Sequence, residues 1–340
     1  MARRHRRLRT LFAIVVVGAI AGGAVLWANR DTTPAAGAGV GTIVARLVQH
    51  ESLPRDRQPY AGLGTWVDGF DFGPAYTANA VPSIAPSAVD DMAVNGVKTL
   101  YLQAVRDDQR SPEGVVDRAL VAEFLIRAHR RGLRVVGWYL PKFTDVDLDL
   151  ANLKQIADFD VLGHRFDGVA VDIEAVDDVK DVADRNQRLI DLSTRLRAAS
   201  GHDALGAIVL PPVLTEVVNQ RYWPDFPWSE LHPLYDVWLP MSYWTFRSSS
   251  SGYHDGYTYN DESTRRLRSD LGDGGAVVHA IGGIGDLVTT DELDRFAQSL
   301  ADDRAIGGSI YDWNSMTPEI RAALAARFAT GPAAHLPPPP

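Results

Sequence analysis

Apolar runs of β-strand type alternate with helix-type segments along the central part of the chain. Eight such runs occur, at residues 64–72, 97–105, 133–140, 166–174, 204–210, 236–244, 276–284 and 307–313. The spacing leaves room for a crossover helix after each run, as parallel strands require. Ser111-Pro112-Glu113 and a capping-box pattern of Thr289 with Glu292 indicate two helix starts. This pattern predicts an α/β fold, a (β/α)8 TIM barrel over residues 61–330, with a doubly wound open sheet as the alternative.

Both ends of the chain lie outside this alternation. Residues 1–10 hold five arginines, and the uncharged run at 11–28 that follows is about one membrane thickness long. A long apolar run favours an uncleaved signal anchor over a cleaved signal peptide, and the preceding arginines predict that the barrel is extracytoplasmic, membrane-anchored or secreted. Residues 29–60 are predicted to be a linker, and residues 331–340 a proline-rich tail.

The amino-acid composition of the chain argues against several classes of function and of functional site. The formal net charge of −9 argues against a nucleic-acid partner, because phosphate binding requires a basic face. The chain contains no cysteine, which excludes disulfides, a thiol nucleophile and a zinc–thiolate site. We therefore expect a protein that works without a metal or a cofactor.

The fourth apolar run carries two acidic residues. Side chains alternate between the two faces of a strand, so Ala170, Asp172 and Glu174 share one face. In a barrel this face points inward, with Glu174 nearest the open end, where TIM barrels place their active sites. Burial and mutual repulsion raise carboxyl pKa values, as a general acid requires. The alternative is that both acids form ion pairs with arginines such as Arg106 and only complete the barrel end.

Segment 167–174, DGVAVDIE, resembles the DGxDxDxE signature of the family 18 glycoside hydrolases, the chitinase family, with Ala170 where the family has its first inner aspartate. Segment 240–244, PMSYW, is similar to the Met-x-Tyr motif of that family. Gly307-Gly308 followed by Trp313 resembles its eighth-strand Gly-Gly and tryptophan.

This resemblance implies a TIM barrel that hydrolyses glycans containing N-acetylglucosamine, either chitin or a cell-wall glycan, with retention and substrate assistance. Glu174 would protonate the leaving glycosidic oxygen while the 2-acetamido carbonyl of the sugar attacks the anomeric carbon. Asp172 would accept a hydrogen bond from the acetamido N–H, and Tyr243 would donate one to the acetamido oxygen. In the family the missing aspartate shares a proton with its neighbour, so the resemblance implies that Asp172 titrates lower here than in the family and that activity is reduced or the chemistry changed.

Other side chains at or near predicted strand ends are expected to bind the polysaccharide or oligosaccharide substrate. Pyranose rings stack their apolar faces on aromatic side chains, and the resemblance adds the motif positions. The expected substrate-binding residues are Asp167, Met241, Trp244, Trp313, Trp66 and Trp138.

Two further functions fit the same barrel. One is a two-carboxylate glycosidase acting on sugars without an acetamido group, with Glu174 as acid/base and a group of the seventh strand such as Asp286 as its partner. The other is an inactive chitinase-like protein that binds carbohydrate through its aromatic residues. Ala170 favours the inactive protein, whereas the buried acid Glu174 opposes it.

Overall fold

The computed structural model describes residues 55–340, and the basic segment, the apolar run at 11–28 and most of the linker lie outside these residues. Within the described part, no helix is both long and apolar enough to cross a membrane. The barrel strands are β1 Gly62–Val67, β2 Thr99–Gln103, β3 Arg134–Tyr139, β4 Gly168–Ile173, β5 Leu205–Val209, β6 Val237–Pro240, β7 His279–Ile284 and β8 Gly307–Tyr311.

These eight strands form one parallel sheet that returns on itself. Neighbouring strands pair in parallel along the order β6-β5-β4-β3-β2-β1-β8-β7. Parallel bridges Trp238–Val278 and Met241–Ile281 then connect β6 to β7. The predicted barrel is thus confirmed, and the open sheet is excluded. A separate two-residue hairpin, Asp160–Val161 with His164–Arg165, precedes β4.

The helices that the structure describes are α1 Gly69–Phe72, α2 Ala88–Val94, α3 Arg118–Arg130, α4 Val146–Ala157, α5 Val182–Ala199, α6 Trp228–Leu231, α7 Gly256–Asp270, α8 Thr290–Asp302 and α9 Pro318–Ala329. The predicted capping box is present at the start of α8. The Thr289 side chain accepts a hydrogen bond from the backbone N–H of Glu292, and the Glu292 side chain accepts one from the backbone N–H of Thr289. The start predicted at Ser111 is wrong, since Asp117 caps α3 instead. The first predicted strand also ends early, because Asp68 caps α1.

Tyr60 forms the floor of the barrel, although the sequence pattern assigned it to the linker. The ring is fully buried, and its hydroxyl donates to the carbonyls of Val169, at 2.8 Å, and Ala204, at 3.1 Å. A Cβ added at Gly168 or Gly206 would lie 2.8 Å from the Tyr60 side chain. Glycine at these two positions therefore lets the inner wall close around the ring.

The proline-rich tail also belongs to the folded unit rather than lying beyond it. Residues Pro332–His335 form a 3-10 turn in which Ala333 is buried. Arg57 donates to the carbonyl of Pro340 at 3.3 Å, so the tail reaches back to the segment ahead of β1. The tail packs on the core through buried Ala333 and half-buried Leu336, and two such positions form no hydrophobic period.

The buried ring of Tyr60 predicts how substitutions at this position change the stability of the fold. Tyr60→Ala should lower the free energy of unfolding by about 3–5 kcal/mol, because it leaves a cavity where a large ring was buried. Tyr60→Phe keeps the ring and should cost about 1 kcal/mol for the lost hydrogen bonds. Urea unfolding of the full chain measures both, and equal losses in the two variants would contradict a packing role for the ring.

Candidate functional site

A cavity of about 360 Å³ opens at the carboxyl ends of the barrel strands. Several strands and the loops that follow them contribute to its wall, as expected for the catalytic end of a TIM barrel. The lining residues are Trp66, Asp68, Phe70, Gln103, Arg106, Trp138, Leu140, Asp172, Glu174, Ile208, Met241, Tyr243, Phe246, Ile281, Ile284 and Tyr311.

The two acids of β4 reach this cavity through the alternation of the strand. Ala170 is in register with Trp138, which also lines the cavity. Val169 is instead in register with Gly137, where an added Cβ would meet Ile156 of α4. The residues on the even positions of β4 therefore point inward, and those on the odd positions pack under the helices.

Burial controls the protonation of both acids. Asp172 is only 6% exposed, and its burial together with the charge of Glu174 raises its pKa well above the ordinary value. Burial also raises the pKa of Glu174. No ion pair joins either acid to a basic residue within residues 55–340, and Arg106 donates to Gln103 instead. The structure therefore contradicts the alternative in which Arg106 forms ion pairs with the two acids.

Three buried polar atoms of residues that line this cavity lack a hydrogen-bond partner in the described part of the chain. They are Oδ1 of Asp172, Nε1 of Trp138 and Nε of Arg106. Buried polar groups are almost always hydrogen-bonded in folded proteins, so acceptors and donors left without a protein partner can serve a bound molecule. Asp172 thus has an oxygen available for a substrate N–H or O–H.

Tyr243 lies across the cavity from β4, just beyond the end of β6. Its ring is 6.0 Å from that of Tyr311, centroid to centroid, and it lines the cavity together with Met241. Burial raises the pKa of Tyr243 well above the ordinary value, and the charges of Glu174 and Asp172 add to this effect. The phenol therefore remains a neutral hydrogen-bond donor at working pH.

Indole rings form the inner wall of the cavity. Trp66 stacks on Tyr101 with centroids 4.3 Å apart and planes 10° from parallel, and it meets Trp138 edge-on at 6.0 Å. The indole N–H of Trp66 donates to the hydroxyl of Ser309 at 2.8 Å. These contacts fix the orientation of both indoles at the cavity.

Asp167 lies at the other end of the barrel from the cavity. It precedes β4, and its carboxylate accepts hydrogen bonds from His129, Arg134 and the backbone N–H of Val135, all at 2.8–2.9 Å. The prediction that Asp167 contacts substrate is therefore wrong. The aspartate instead ties α3 and β3 to the start of β4.

Two predicted tryptophans pack away from the cavity, because strand alternation ends before each of them. The chain enters a 3-10 turn at Trp244–Phe246, and fully buried Trp244 packs on Phe296 and donates to Glu292 at 3.1 Å. Trp313 follows the end of β8 and packs under Arg321, whose Cζ lies 4.1 Å from the ring centroid. Both were expected to bind sugar, and both are structural.

Asp286 does not reach the cavity either. It is exposed in the turn after β7, and the residues of β7 that line the cavity are Ile281 and Ile284. The strand-7 partner proposed for a two-carboxylate mechanism is thus absent from the cavity as described.

Sequence reasoning missed a second group of acids beside the cavity. Carboxylate oxygens of Asp68, Asp71 and Asp312 lie within 4.8 Å of one another. Burial, with the charges of Asp68 and Asp312, raises the pKa of Asp71 to about 7. Tyr311 donates to Asp68 at 2.9 Å and Asn314 to Asp71 at 2.7 Å, which joins the ends of β1 and β8. The inward alternation along β8 could have identified Tyr311.

Comparison with known proteins identifies the class of fold. No family model and no curated protein matches the chain. Among solved structures, the chain is similar to a family 18 chitinase of Cycas revoluta bound to (GlcNAc)4, with a TM-score of 0.57, 11% identity and coverage of 78% of this chain and 99% of that one. It is also similar to a class V chitinase of Pseudomonas fluorescens Pf-5, with a TM-score of 0.53, 11% identity and coverage of 78% and 98%.

An exo-β-1,4-mannosidase from Opitutaceae bacterium strain TAV5 has a comparable likeness. Its TM-score is 0.56 at 12% identity, and the match covers 84% of this chain and 62% of that one. At such identities the comparisons establish a TIM barrel of the kind found in glycoside hydrolases. They do not distinguish the chitinase type from the mannosidase type.

The buried acids predict a pH-dependent stability. Because the folded protein binds the Asp172 proton more tightly than the unfolded chain, the unfolded chain ionises first, and the fold loses stability as pH rises from 3.8 toward the raised pKa. The side chain introduced by Asp172→Asn cannot ionise. The free energy of unfolding of this variant should therefore increase relative to that of the native chain between pH 4 and pH 8. Denaturant unfolding across this range measures the difference, with exposed Asp286→Asn as the control. A difference for Asp172→Asn that does not change with pH would contradict the buried, protonated acid.

Proposed function

We propose that this chain is a glycoside hydrolase that cleaves glycans containing N-acetylglucosamine with retention and with assistance from the substrate. The observation that carries the proposal is that Asp172, Glu174 and Tyr243 line one cavity at the catalytic end of the barrel. The likeness of segment 167–174 to the family 18 signature supports it. The fold alone leaves the substrate open, since the barrel hosts many chemistries.

Glu174 is the general acid of the proposed reaction. Burial raises its pKa and so favours the protonated carboxyl, and transfer of this proton to the glycosidic oxygen allows the bond to the anomeric carbon to break. The acetamido oxygen of the same sugar attacks that carbon and forms a cyclic oxazolinium intermediate. Water, deprotonated by the Glu174 carboxylate, then opens the ring with net retention.

Asp172 and Tyr243 act on the acetamido group. The unpartnered Oδ1 of Asp172 accepts the acetamido N–H, and this hydrogen bond strengthens as positive charge develops on the oxazolinium. Because Tyr243 remains neutral, its hydroxyl can donate to the acetamido oxygen and hold it in the attacking position. Trp66 and Trp138 provide flat apolar surfaces for the sugar ring.

The cavity supports this reading over a two-carboxylate mechanism. A carboxylate nucleophile must lie about 5–5.5 Å from the acid/base. The residues of β7 that line the cavity are isoleucines, so this strand supplies no carboxylate nucleophile. Asp68 does line the cavity, but its two oxygens accept from the Phe70 N–H and the Tyr311 hydroxyl. In the proposed reaction the substrate's own acetamido group supplies the nucleophile instead.

Residues 11–28 are proposed to anchor the barrel outside the cytoplasm, where chitin and cell-wall glycans are found. Protease accessibility of the barrel in intact cells tests this placement.

Hydrolysis of aryl chito-oligosaccharides, compared with matched aryl glucosides and galactosides, tests the activity. We expect the full chain to turn over the acetamido sugars alone. Glu174→Gln should lower turnover by about 10²–10⁴-fold, because the proton donor is lost. Tyr243→Phe should lower it by about 10²-fold, because one positioned donor is lost. Glycan binding by the native chain without turnover of any sugar would replace the hydrolase with a lectin-like protein.

Asp286→Asn separates the two hydrolytic mechanisms. We expect kcat/KM on aryl chito-oligosaccharides to stay within about twofold of the native value, because Asp286 is an exposed turn residue. Loss of turnover in this variant, together with turnover on sugars that lack the acetamido group, would favour the two-carboxylate mechanism instead.

A further inference from the structure

Arg106 lies in the wall of the cavity, three residues beyond Gln103 at the end of β2. Among the cavity-lining residues that the structure describes, it is the one with a basic side chain. The other polar residues of this wall are Asp68, Gln103, Asp172, Glu174 and the two tyrosines. The positive charge of Arg106 therefore faces any molecule that is bound in the cavity.

Its guanidinium is held in place by aromatic and amide contacts. The Cζ atom lies 4.3 Å from the ring centroid of Phe70 and 5.2 Å from that of Tyr76. Nη1 donates to Oε1 of Gln103 at 2.7 Å, and the same oxygen accepts from the N–H of Gly69 at 2.9 Å. The contacts with Phe70 and Gln103 orient the planar group before any ligand arrives.

The acids nearest to Arg106 in sequence already have other partners. Asp107 pairs with Lys142 at 2.8 Å, and Asp108 pairs with Arg110 at 2.8 Å. Within residues 55–340, Arg106 itself forms no ion pair, and its Nε is buried without a hydrogen-bond partner. A half-buried cation without a counterion is costly, so its retention in a cavity wall requires an explanation.

We infer that Arg106 binds a carboxylate carried by the glycan, so that the substrate of the proposed hydrolase is an acidic glycan. The guanidinium fork matches a planar carboxylate and forms charge-assisted hydrogen bonds with it. This inference rests on the proposed function and specifies its substrate class. Asp172 and Glu174 do not oppose an anionic sugar, because burial favours the protonated form of both.

Binding of matched tetrasaccharides tests the inference. The full chain carrying Glu174→Gln, which blocks hydrolysis, is titrated calorimetrically with neutral chitotetraose. It is then titrated with a tetrasaccharide in which N-acetylglucosamine alternates with glucuronic acid, and with one in which alternate N-acetylglucosamines bear a lactyl ether. We expect at least one acidic ligand to bind about 10–100-fold more tightly than chitotetraose, and the two acidic ligands distinguish the ring carboxylate from the lactyl carboxylate.

Three variants assign the effect. Arg106→Gln should remove the preference for the acidic ligand over chitotetraose. Arg106→Lys keeps the charge but loses the fork, and should retain part of the preference. Arg110→Gln is the matched control, because Arg110 contacts the same two aromatic rings but pairs with Asp108 and does not line the cavity.

The outcomes separate this inference from the proposed activity. Equal affinity for neutral and acidic ligands, unchanged in Arg106→Gln, overturns the acidic substrate even if chito-oligosaccharides are hydrolysed. An acidic preference that Arg106→Gln abolishes supports the inference even if the native chain hydrolyses nothing, and the proposed activity alone then fails. Absence of binding to all three ligands overturns both.

Discussion

The site depends on two carboxyl groups that are removed from water without a cation to neutralise them. Asp172 and Glu174 follow one another along the inner face of β4, and desolvation is the main cause of the raised pKa of each. Protonation is the least costly state for such groups, and a protonated acid at the mouth of a barrel is a proton donor. The indoles of Trp66 and Trp138 and the isoleucines of the cavity wall maintain the low polarity that this effect requires.

Ala170 fits this picture as part of the apolar layer beneath the acids. An added Cβ at Gly206 would lie 3.2 Å from the Ala170 Cβ, 2.9 Å from Leu239 and 2.8 Å from Tyr60, so the interior is closely packed at this level. Segment 167–174 resembles the family 18 signature, which has an aspartate at this position, and alanine is compatible with the close packing found here. Asp172 therefore has no acidic neighbour below it, and Glu174 is the carboxyl that interacts with it.

Period-two alternation predicted the barrel and the cavity side of β4, because both follow from local geometry. Nearness to predicted strand ends and the family resemblance misplaced Trp244 and Trp313, because the chain leaves the strand before each indole and turns it toward the helices. Asp167 was misplaced because the signature spans the whole strand, from the floor to the mouth. The roles of Tyr60, Asp68 and Arg106 depend on contacts with distant segments, which a periodic pattern does not encode. Ala333 and Leu336 of the tail pack on the core without forming a period, so the place of the tail in the fold was missed.

The most direct test of the central claim is a carboxyl ¹³C NMR titration of Asp172 and Glu174 in the full chain, with assignments from Asp172→Asn and Glu174→Gln. We expect both resonances to titrate above the ordinary values of 3.8 and 4.5, with Asp172 well above and each transition altered when the other acid is neutralised. If either acid titrates at or below its ordinary value, it is ionised at neutral pH, and the buried proton donor on which the proposed chemistry rests does not exist.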